Sequence, residues 1–574
     1  MSALSETRLT LVTGPEEVQN FVSWLGERRP ILALDIETTG LSLAKDKVRM
    51  VQFGDGDQGW AIPVEGYGYG GLVKYVLDSY EGPYVLQHAK FDAGFLTRDG
   101  LSFPWERVHD TMMMSFLFDS VGPKGLKKAA AAYVDPIAAV GEQELRKAMI
   151  KNRWGYDTIP LDFDLYWGYS ALDVVLTARL AETLWPKIQY ARQAYDLEMA
   201  CERVLCDMEG RGLAIDVPYC EEQREQLGGV LGRVEGLLGF SPYSAAEVRD
   251  ALIASGAKLT KRTESGAFST DDEVLKVLAS DGNVVAARVI EARMLNKLLT
   301  TYFDNLLSFN VGGIIHPHIN QLAARTGRMS VTEPALQTIP RKALVRDAFI
   351  PRPGNSLLLI DYAAQELRVA AHIGQDEKML EVFRSGVSPH DETARSLYGP
   401  NFTKAQRTTA KNAMFSFTYG AGAPKFARTA GVPLHEAEAV FRTLRALYPG
   451  LSRAMVQVES KVREREEMDG HGYVVALNDG RHLKVRADHA YRGLNTLIQG
   501  SCAVVLKQSL VDLDAAGLGE FLSLPIHDEV MFDVPNDQLD EVLPTAMETM
   551  RRDDFSAALE VESQVVQRWG DPYR

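Results

Sequence analysis

The hydrophobic and polar positions follow two different periods in the first third of the chain. Between residues 31 and 90, short apolar runs alternate with turn residues, a pattern that predicts strands. The four runs are ILALDIE, VRMVQFG, GWAIPV and PYVLQHA. From about residue 105 to 187 the apolar spacing becomes that of amphipathic helices. Strands followed by helices predict an α/β domain with a mixed sheet over residues 1–187.

The rest of the chain, residues 188–574, predicts a larger body of mixed composition. Residues 188 to about 310 are mostly helical, with runs such as DEVLKVLAS, and beyond residue 311 helices and strands alternate. The apolar strand SLLLI ends in Asp361, and a second strand pair brackets Pro525 to Val534. No Gly/Ser-rich linker interrupts the chain, so domains that pack directly on one another are expected. The fold class is therefore α/β and α+β, multidomain.

Composition and charge narrow the class of protein. The 574 residues are 46% hydrophobic and 24% charged, which is typical of a soluble protein. No apolar run reaches the ~18 residues of a membrane span, and the N-terminus does not resemble a signal peptide. The four cysteines include no C-x-x-C pair, so reduced thiols in a cytoplasmic protein are expected.

The net charge of −15 argues, taken alone, against nucleic-acid binding. Two stretches of the chain, however, carry an excess of positive charge. Residues 401–430 hold five Lys or Arg and no acidic residue, and residues 321–352 hold six against two acidic residues. A solvated charged surface would explain either stretch alone, but two such stretches in an acidic chain favour contact with an anion.

Four acidic residues and a tyrosine form the first candidate site. Asp35 and Glu37 lie two apart on a predicted strand, so both point to one face. Asp92 follows another strand, and Tyr169 and Asp173 lie four apart on a predicted helix and share one side of it. Taken alone, the LDIET string is often a strand end followed by a turn, and a Tyr-x-x-x-Asp spacing arises by chance in most long chains. Together they suit a hydrolase with two magnesium ions ~4 Å apart, since hard cations prefer carboxylate oxygens.

The order of these strings resembles a known superfamily. LDIETTGL, HAKFD and YSALD resemble the three motifs of the DEDD exonucleases, in the variant that carries tyrosine. The resemblance implies an RNase H-like fold and 3′→5′ exonuclease activity. It also implies that the four carboxylates hold two metal ions and that Tyr169 orients the attacking water. One departure is His88, where polymerase relatives often have asparagine.

A second candidate site begins with the helical segment RTTAKNAMFSFTYG. Arg407, Lys411, Phe415 and Tyr419 recur every four residues, so they form a slanted stripe on one side of a helix. Two cations followed by two aromatic rings match a nucleoside triphosphate, which has phosphates at one end and a sugar and base at the other. The alternative is an ordinary amphipathic helix with a cationic rim.

This segment resembles the fingers helix of family A DNA polymerases, R-x3-K-x3-F/Y-x3-Y-G. Other motifs of that family follow the expected order. They are TGRMSVTEPALQTIP, DYAAQELR, HDETA, LNTLIQGSCA and PIHDEV. The resemblance implies a right-hand polymerase domain over residues 188–574. Its thumb would span about 190–310, its palm about 311–380 and 485–574, and its fingers about 381–484.

The resemblance assigns a role to each matching residue. Asp361 and Asp528 would bind two Mg²⁺ ions, for which Mn²⁺ can substitute, with Glu529 a nearby and less essential carboxylate. Glu366 would be the steric gate against a ribose 2′-OH, and Lys411 a general acid toward pyrophosphate. The implied nucleotide contacts are Tyr362, Glu366, His390, Arg407, Lys411, Phe415 and Tyr419. The implied DNA contacts are Arg328, Gln337, Asn495, Gln499 and His527.

The expected function is template-directed DNA synthesis with 3′→5′ proofreading. The expected partners are primer–template DNA and dNTPs, with replisome proteins as candidates, and the expected state is a monomer in a bacterial or phage-infected cytoplasm. The chain enters the nuclease motifs early, so a 5′-nuclease domain is expected to be missing, as in a bacteriophage replicative polymerase. The alternatives are an exonuclease with a non-polymerising DNA-binding body, an inactive scaffold, and a single-subunit RNA polymerase. Glu366 and the nuclease domain argue against the last.

Overall fold

A computed structural model describes residues 4–27, 29–139, 142–340 and 342–574. The N-terminal part is a six-stranded sheet in the order β1-β4-β3-β2-β5-β6. Its strands are β1 (Arg8–Leu11), β2 (Leu32–Thr38), β3 (Val48–Gly54), β4 (Gln58–Pro63), β5 (Tyr84–Leu86) and β6 (Val108–Asp110). The central strands β2, β3 and β4 pair antiparallel, whereas β1, β5 and β6 join in parallel. The sheet is therefore mixed, as predicted.

Helices cover this sheet. They are α1 (Pro15–Leu25), α2 (Gly70–Ser79), α3 (Ala89–Arg98), α4 (Thr111–Phe118), α5 (Leu126–Tyr133), α6 (Glu142–Asn152) and α7 (Asp164–Leu184). The longest of them, α7, packs along β1 to β5 and is buried over most of its length. Since strand β3 is buried at every position, the sheet is covered on both faces.

A helical region follows. It comprises α8 (Arg192–Arg211), α9 (Val217–Leu238), α10 (Ala245–Ala254), α11 (Asp272–Ser280), α12 (Val284–Asn296) and α13 (Asp304–Phe309). Side-chain oxygens of Asp216, Ser244, Asp271 and Asn283 cap the starts of α9 to α12, which explains where these helices begin. A π-helical turn, Lys297–Phe303, joins α12 to α13. Two short strand pairs and a short helix lead onward: β7 (Leu213–Ala214) with β8 (Ile314–Ile315), β9 (His318–Asn320) with β10 (Ser330–Thr332), and α14 (Ala343–Arg346).

The C-terminal part is built on an antiparallel sheet in the order β14-β15-β11-β16, beside a separate hairpin, β12–β13. These strands are β11 (Asn355–Tyr362), β12 (His471–Val475), β13 (His482–Arg486), β14 (Leu522–Ile526), β15 (Glu529–Pro535) and β16 (Val561–Val566). The helices are α15 (Gln365–Gly374), α16 (Glu377–Arg384), α17 (Pro389–Tyr398), α18 (Lys404–Thr418), α19 (Ala423–Ala430), α20 (Leu434–Leu447), α21 (Pro449–Glu464), α22 (Gly493–Leu513) and α23 (Leu539–Met550). One large core joins this sheet to α8 and α22.

Candidate active sites

Strand β2 supplies the first acidic pair. Its buried positions include Leu34 and Ile36, which enter the core, while Asp35 and Glu37 alternate with them and are only partly buried. This alternation aims both carboxylates at the same face of the sheet. The predicted pairing of Asp35 with Glu37 on one face therefore agrees with the strand.

Helices α3 and α7 add the other predicted side chains. Asp92 lies in the first turn of α3, is 2% exposed, and its Oδ1 has no hydrogen-bond partner within the described residues. Tyr169 and Asp173 lie one turn apart on α7. The hydroxyl of Ser170, between them in sequence, donates a 2.7 Å hydrogen bond to Glu37. The structure thus gathers all five predicted residues in one place.

The carboxylates of this group influence one another's pKa. Burial raises the pKa of Asp35 well above its usual range, and the charges of Asp92 and Asp173 add to that rise. Burial likewise raises the pKa of Asp92, and it raises the pKa of Glu37 to about 7 against the opposing hydrogen bond from Ser170. Neighbouring buried carboxylates repel one another, so the group favours a bound cation.

Lys127 is a member of this site that the sequence did not indicate. Its Nζ forms an ion pair with Asp173 and lies 3.8 Å from the centre of the Tyr169 ring. Burial raises the pKa of Asp173, and this lysine opposes that rise. Lys127 is buried and Lys128 is exposed, a difference that the string LKKAAAAY does not reveal.

His88 lies beside this site. It takes a left-handed conformation with φ 68° just before α3, and its ring meets that of His318 edge-on at 5.3 Å. Burial, together with the nearby charge of Lys90, lowers the pKa of His88 to about 3. The imidazole is therefore neutral at physiological pH and packs between the two parts of the chain.

The palm-like sheet forms the second acidic site. Asp361 lies near the end of β11, opposite Glu529 on β15, and Asp528 occupies the turn just before β15. The backbone N–H of Tyr362 donates to the Asp528 carbonyl oxygen at 3.2 Å, which fixes the turn beside β11. Burial raises the pKa of Asp528, and the neighbouring carboxyl group of Asp361 opposes that rise. Two neighbouring carboxyl groups suit a divalent cation.

A cavity of about 190 Å³ opens beside this pair. Its lining includes five of the predicted residues: Arg328, Gln337, Glu366, His527 and Asp528. Glu366, in the first turn of α15, forms an ion pair with Arg328 and accepts a hydrogen bond from the Tyr419 hydroxyl. Glu366 therefore connects Arg328, a predicted DNA contact, with Tyr419, the last residue of the predicted stripe.

Helix α18 carries the first three residues of the predicted stripe, and Tyr419 follows its last residue. A capping box formed by Thr403 and Gln406 starts the helix. The rings of Phe415 and Tyr419 lie 5.8 Å apart, and Lys411 Nζ lies 6.0 Å from the centre of the Phe415 ring.

The start of the stripe meets α17. Arg407 forms an ion pair with Asp391, and the His390 ring lies 5.6 Å from Phe415. Burial, with the charges of Lys411 and Arg407, lowers the pKa of His390 to about 4. Helix α17 therefore adds two groups to the stripe. The neutral imidazole of His390 lies beside Phe415, and the carboxylate of Asp391 pairs with Arg407.

Three further predicted contact residues are not among those that line the cavity beside Asp528: Tyr362, Asn495 and Gln499. The Tyr362 side chain is buried in the core, where its hydroxyl contacts Ser509 and donates to the Met550 carbonyl oxygen, so the structure does not bring it to the cavity. Asn495 and Gln499 are partly buried on α22. The Oδ1 of Asn495 has no hydrogen-bond partner within the described residues.

Both donor sets consist of carboxylate oxygens, which fit divalent cations. Across the described parts of the chain, no three Asp, Glu, His or Cys side chains converge closely enough to hold an ion. In the nuclease region, Lys127 pairs with Asp173, and Oδ1 of Asp92 has no hydrogen-bond partner among the described residues, so this buried oxygen suits a cation.

A covered mixed sheet with neighbouring carboxylates and a separate antiparallel sheet with a second acidic pair are two places suited to metal-dependent chemistry. Residues 9–189 match a 3′-5′ exonuclease family, and residues 220–571 match DNA polymerase family A. The chain belongs to DNA polymerase family A and carries an N-terminal 3′-5′ exonuclease domain. Domains of these two families use divalent metal ions.

Relatives agree with this assignment. The DNA polymerase of Mycobacterium phage L5 is 30% identical over 98% of this chain and 97% of its own length. The DNA polymerase of Mycobacterium phage D29 is 30% identical over 92% of this chain and 91% of its own length. DNA polymerase I of Pseudomonas aeruginosa is 28% identical over 91% of this chain and 61% of its own length.

The fold has a solved counterpart. The polymerase domain of Pol1 from M. smegmatis, solved with DNA primer-template and dNTP, superposes with a TM-score of 0.79. It is 22% identical, over 98% of this chain and 99% of that one. The predicted DNA polymerase with a 3′-5′ exonuclease domain is confirmed, and the non-polymerising alternative is not favoured. No helix in the described part of the chain is both long and apolar enough to cross a membrane.

Proposed function

We propose that this chain adds dNTPs to a primer 3′-OH at the Asp361–Asp528 site and removes 3′-terminal nucleotides at the site of Asp35, Glu37, Asp92 and Asp173. One observation supports this best. The two predicted sets of carboxylates are each gathered at a separate sheet, one in each matched family region. Two separated sites allow synthesis and removal to be carried out independently.

Each site would hold two Mg²⁺ ions, with Mn²⁺ as a substitute. When bound, the ions supply Lewis acidity to the attacking and leaving oxygens of phosphoryl transfer. Asp361 and Asp528 are the proposed ligands in the palm, with Glu529 in support. In the nuclease domain, the ligands are the four carboxylates gathered there.

The remaining polymerase residues bind and orient the substrates. Lys411 and Arg407 hold the triphosphate with His390, and Lys411 is the proton donor toward pyrophosphate. Phe415 packs on the sugar and Tyr419 against the new base pair. The proposed DNA contacts are Arg328, Gln337, Asn495, Gln499 and His527. Minor-groove acceptors are nearly the same in every base pair, which suits contacts that must ignore sequence.

In the nuclease site, Tyr169 orients the attacking water. The ring of Tyr169 is held on one face by Lys127, whose charge also faces Asp173. This contact would restrict the position of the ring beside Asp173. The proposed water-orienting role of Tyr169 thus depends on a lysine.

The biological setting follows from the same proposal. Primer–template DNA and dNTPs are the proposed partners, and the chain is proposed to act as a monomer in the cytoplasm of a bacterium or phage-infected cell. Similarity to two phage polymerases supports a replicative role for a bacteriophage. The proposed domain boundary, between residues 187 and 188, lies in the segment between α7 and α8, where two short 3-10 turns follow one another.

Glu366→Ala should admit ribonucleotides. Removing the side chain opens the space where a 2′-OH would lie, so discrimination between dNTPs and rNTPs should fall about tenfold or more. Single-nucleotide incorporation with each substrate measures this. Glu366→Gln keeps the bulk and should keep the selectivity. Equal selectivity in Glu366→Ala and the unmodified enzyme would refute the steric role.

Lys127→Ala should slow degradation of single-stranded DNA about tenfold and leave nucleotide addition unchanged, because misplacement of Tyr169 affects only the nuclease site. Release of a 3′-terminal labelled nucleotide measures the rate. Lys128→Ala is the matched control, since it removes the same charge from an exposed neighbouring position. If both variants degrade DNA at the same rate, Lys127 has no role in this site.

A further inference from the structure

Four charged side chains are buried together beneath the segment that carries Arg328. Glu198 lies on α8, Asp479 and Arg481 at the β12–β13 turn, and Lys507 on α22. The side chains of Glu198, Arg481 and Lys507 are 0% exposed and that of Asp479 is 2% exposed. Two acids and two bases balance in charge, and none belongs to either active site.

The members of this buried cluster are tightly paired. Lys507 Nζ donates to both carboxylate oxygens of Glu198, at 2.7 and 2.9 Å. Arg481 donates to Glu198 and, through Nε at 2.6 Å, to Asp479. Leaving one buried charge unpaired is costly, so such a cluster holds its three elements in one arrangement.

The cluster contacts the turn that ends at Arg328. The side-chain amide of Gln321 donates to the Glu198 carbonyl oxygen at 2.8 Å and to the Glu198 carboxylate. Gly327, with φ +79°, closes a tight turn by donating to the Ala324 carbonyl oxygen at 2.9 Å. A Cβ on Gly327 would lie 3.1 Å from Arg481 Nη1, so this turn rests against the guanidinium.

We propose that the buried cluster positions Arg328 for its contact with primer–template DNA, and that Gln321 tethers the turn to it. This inference rests on the proposed role of Arg328 in DNA binding. The backbone at Gly327, just before Arg328, lies against the Arg481 guanidinium. The guanidinium of Arg328 reaches Glu366, which lines the cavity. A fixed backbone restricts where so long a side chain can point. Gln321, Glu198 and Arg481 are therefore positioning residues for nucleotide addition.

The first test is Gln321→Met, which removes the tethering amide, keeps a similar volume and leaves all four charges paired. The dissociation constant for primer–template DNA should rise about threefold to tenfold, with kcat/KM for adding one nucleotide falling by the same factor. Degradation of single strands should stay unchanged. Gln508→Met is the control, because that amide bonds within α22 to Asp512. Identical behaviour of the two variants would overturn the proposal.

A double-mutant cycle then separates positioning from general damage. If Gln321 acts through Arg328, Gln321→Met should add less than about twofold to the loss already seen in Arg328→Ala. If the losses of the two single variants instead multiply in the double variant, Gln321 does not act through Arg328, while the proposed contact of Arg328 with DNA still stands. Full activity in Arg328→Ala would instead remove the DNA contact itself. The double substitution Glu198→Gln with Lys507→Gln removes one charge of each sign. It is combined with Arg328→Ala in the same way, so the test does not depend on the folding of a single variant.

Discussion

Asp528→Asn should abolish nucleotide addition, with a loss of about a thousandfold or more. The substitution keeps the size of the side chain but removes the charge from one of the two proposed palm ligands. The fold should persist, because the backbone contact that fixes this turn comes from the Asp528 carbonyl oxygen rather than from its side chain. Extension of a labelled primer by one nucleotide, at saturating dNTP and Mg²⁺, measures the effect.

Two controls define that result. Degradation of single-stranded DNA by Asp528→Asn should match the unmodified chain, because the nuclease carboxylates lie on another sheet. Glu529→Gln removes a neighbouring charge and should cost much less. Loss of both activities in a folded Asp528→Asn protein would contradict the separation of the sites.

Asp35→Ala combined with Glu37→Ala should give the reverse pattern. Both carboxylates leave the same face of β2, so single-strand degradation should fall about a thousandfold or more while nucleotide addition continues. Release of 3′-terminal nucleotides from a labelled oligonucleotide measures the loss. The primer–template assay should at the same time show extension without shortening.

A matched control is available on the same sheet. Asp55→Ala with Asp57→Ala removes two carboxylates with the same spacing from the turn between β3 and β4. This variant should degrade DNA normally. Persistent degradation in the Asp35 and Glu37 variant would show that another group performs the hydrolysis.

Much of this arrangement could be predicted from local sequence pattern. Alternation on β2 placed Asp35 and Glu37 on one face. A spacing of four residues put Lys411 and Phe415 along one side of α18, with Tyr419 directly after its last residue. In these cases one secondary-structure element sets the direction of each side chain. The ordered family motifs then supplied the partners on distant elements, such as Asp528 beside Asp361.

Features that depend on tertiary packing were not predicted. The short strands β1 and β6 carry too few residues to show a period. Lys127 and Lys128 are equivalent in sequence, and only the packing of α5 buries the first. Glu and Lys usually lie at the surface, so the sequence does not predict that Glu198 and Lys507 are buried. A charged side chain is buried only where a partner from another element pairs with it.

Tyr362 is a prediction that rested on the resemblance alone. The resemblance to family A polymerases implied that this side chain contacts the nucleotide. Adjacent residues on a strand point to opposite faces, and the Tyr362 side chain enters the core instead. Its predicted contact with the nucleotide therefore has no support from the geometry.

The most direct test is anomalous scattering from crystals of the full chain grown with primer–template DNA, an incoming nucleotide and Mn²⁺. Peaks should appear beside Asp361 and Asp528, and a second group beside Asp35, Glu37, Asp92 and Asp173. Substrate bound in the palm with no metal peak near Asp361 and Asp528 would contradict the account.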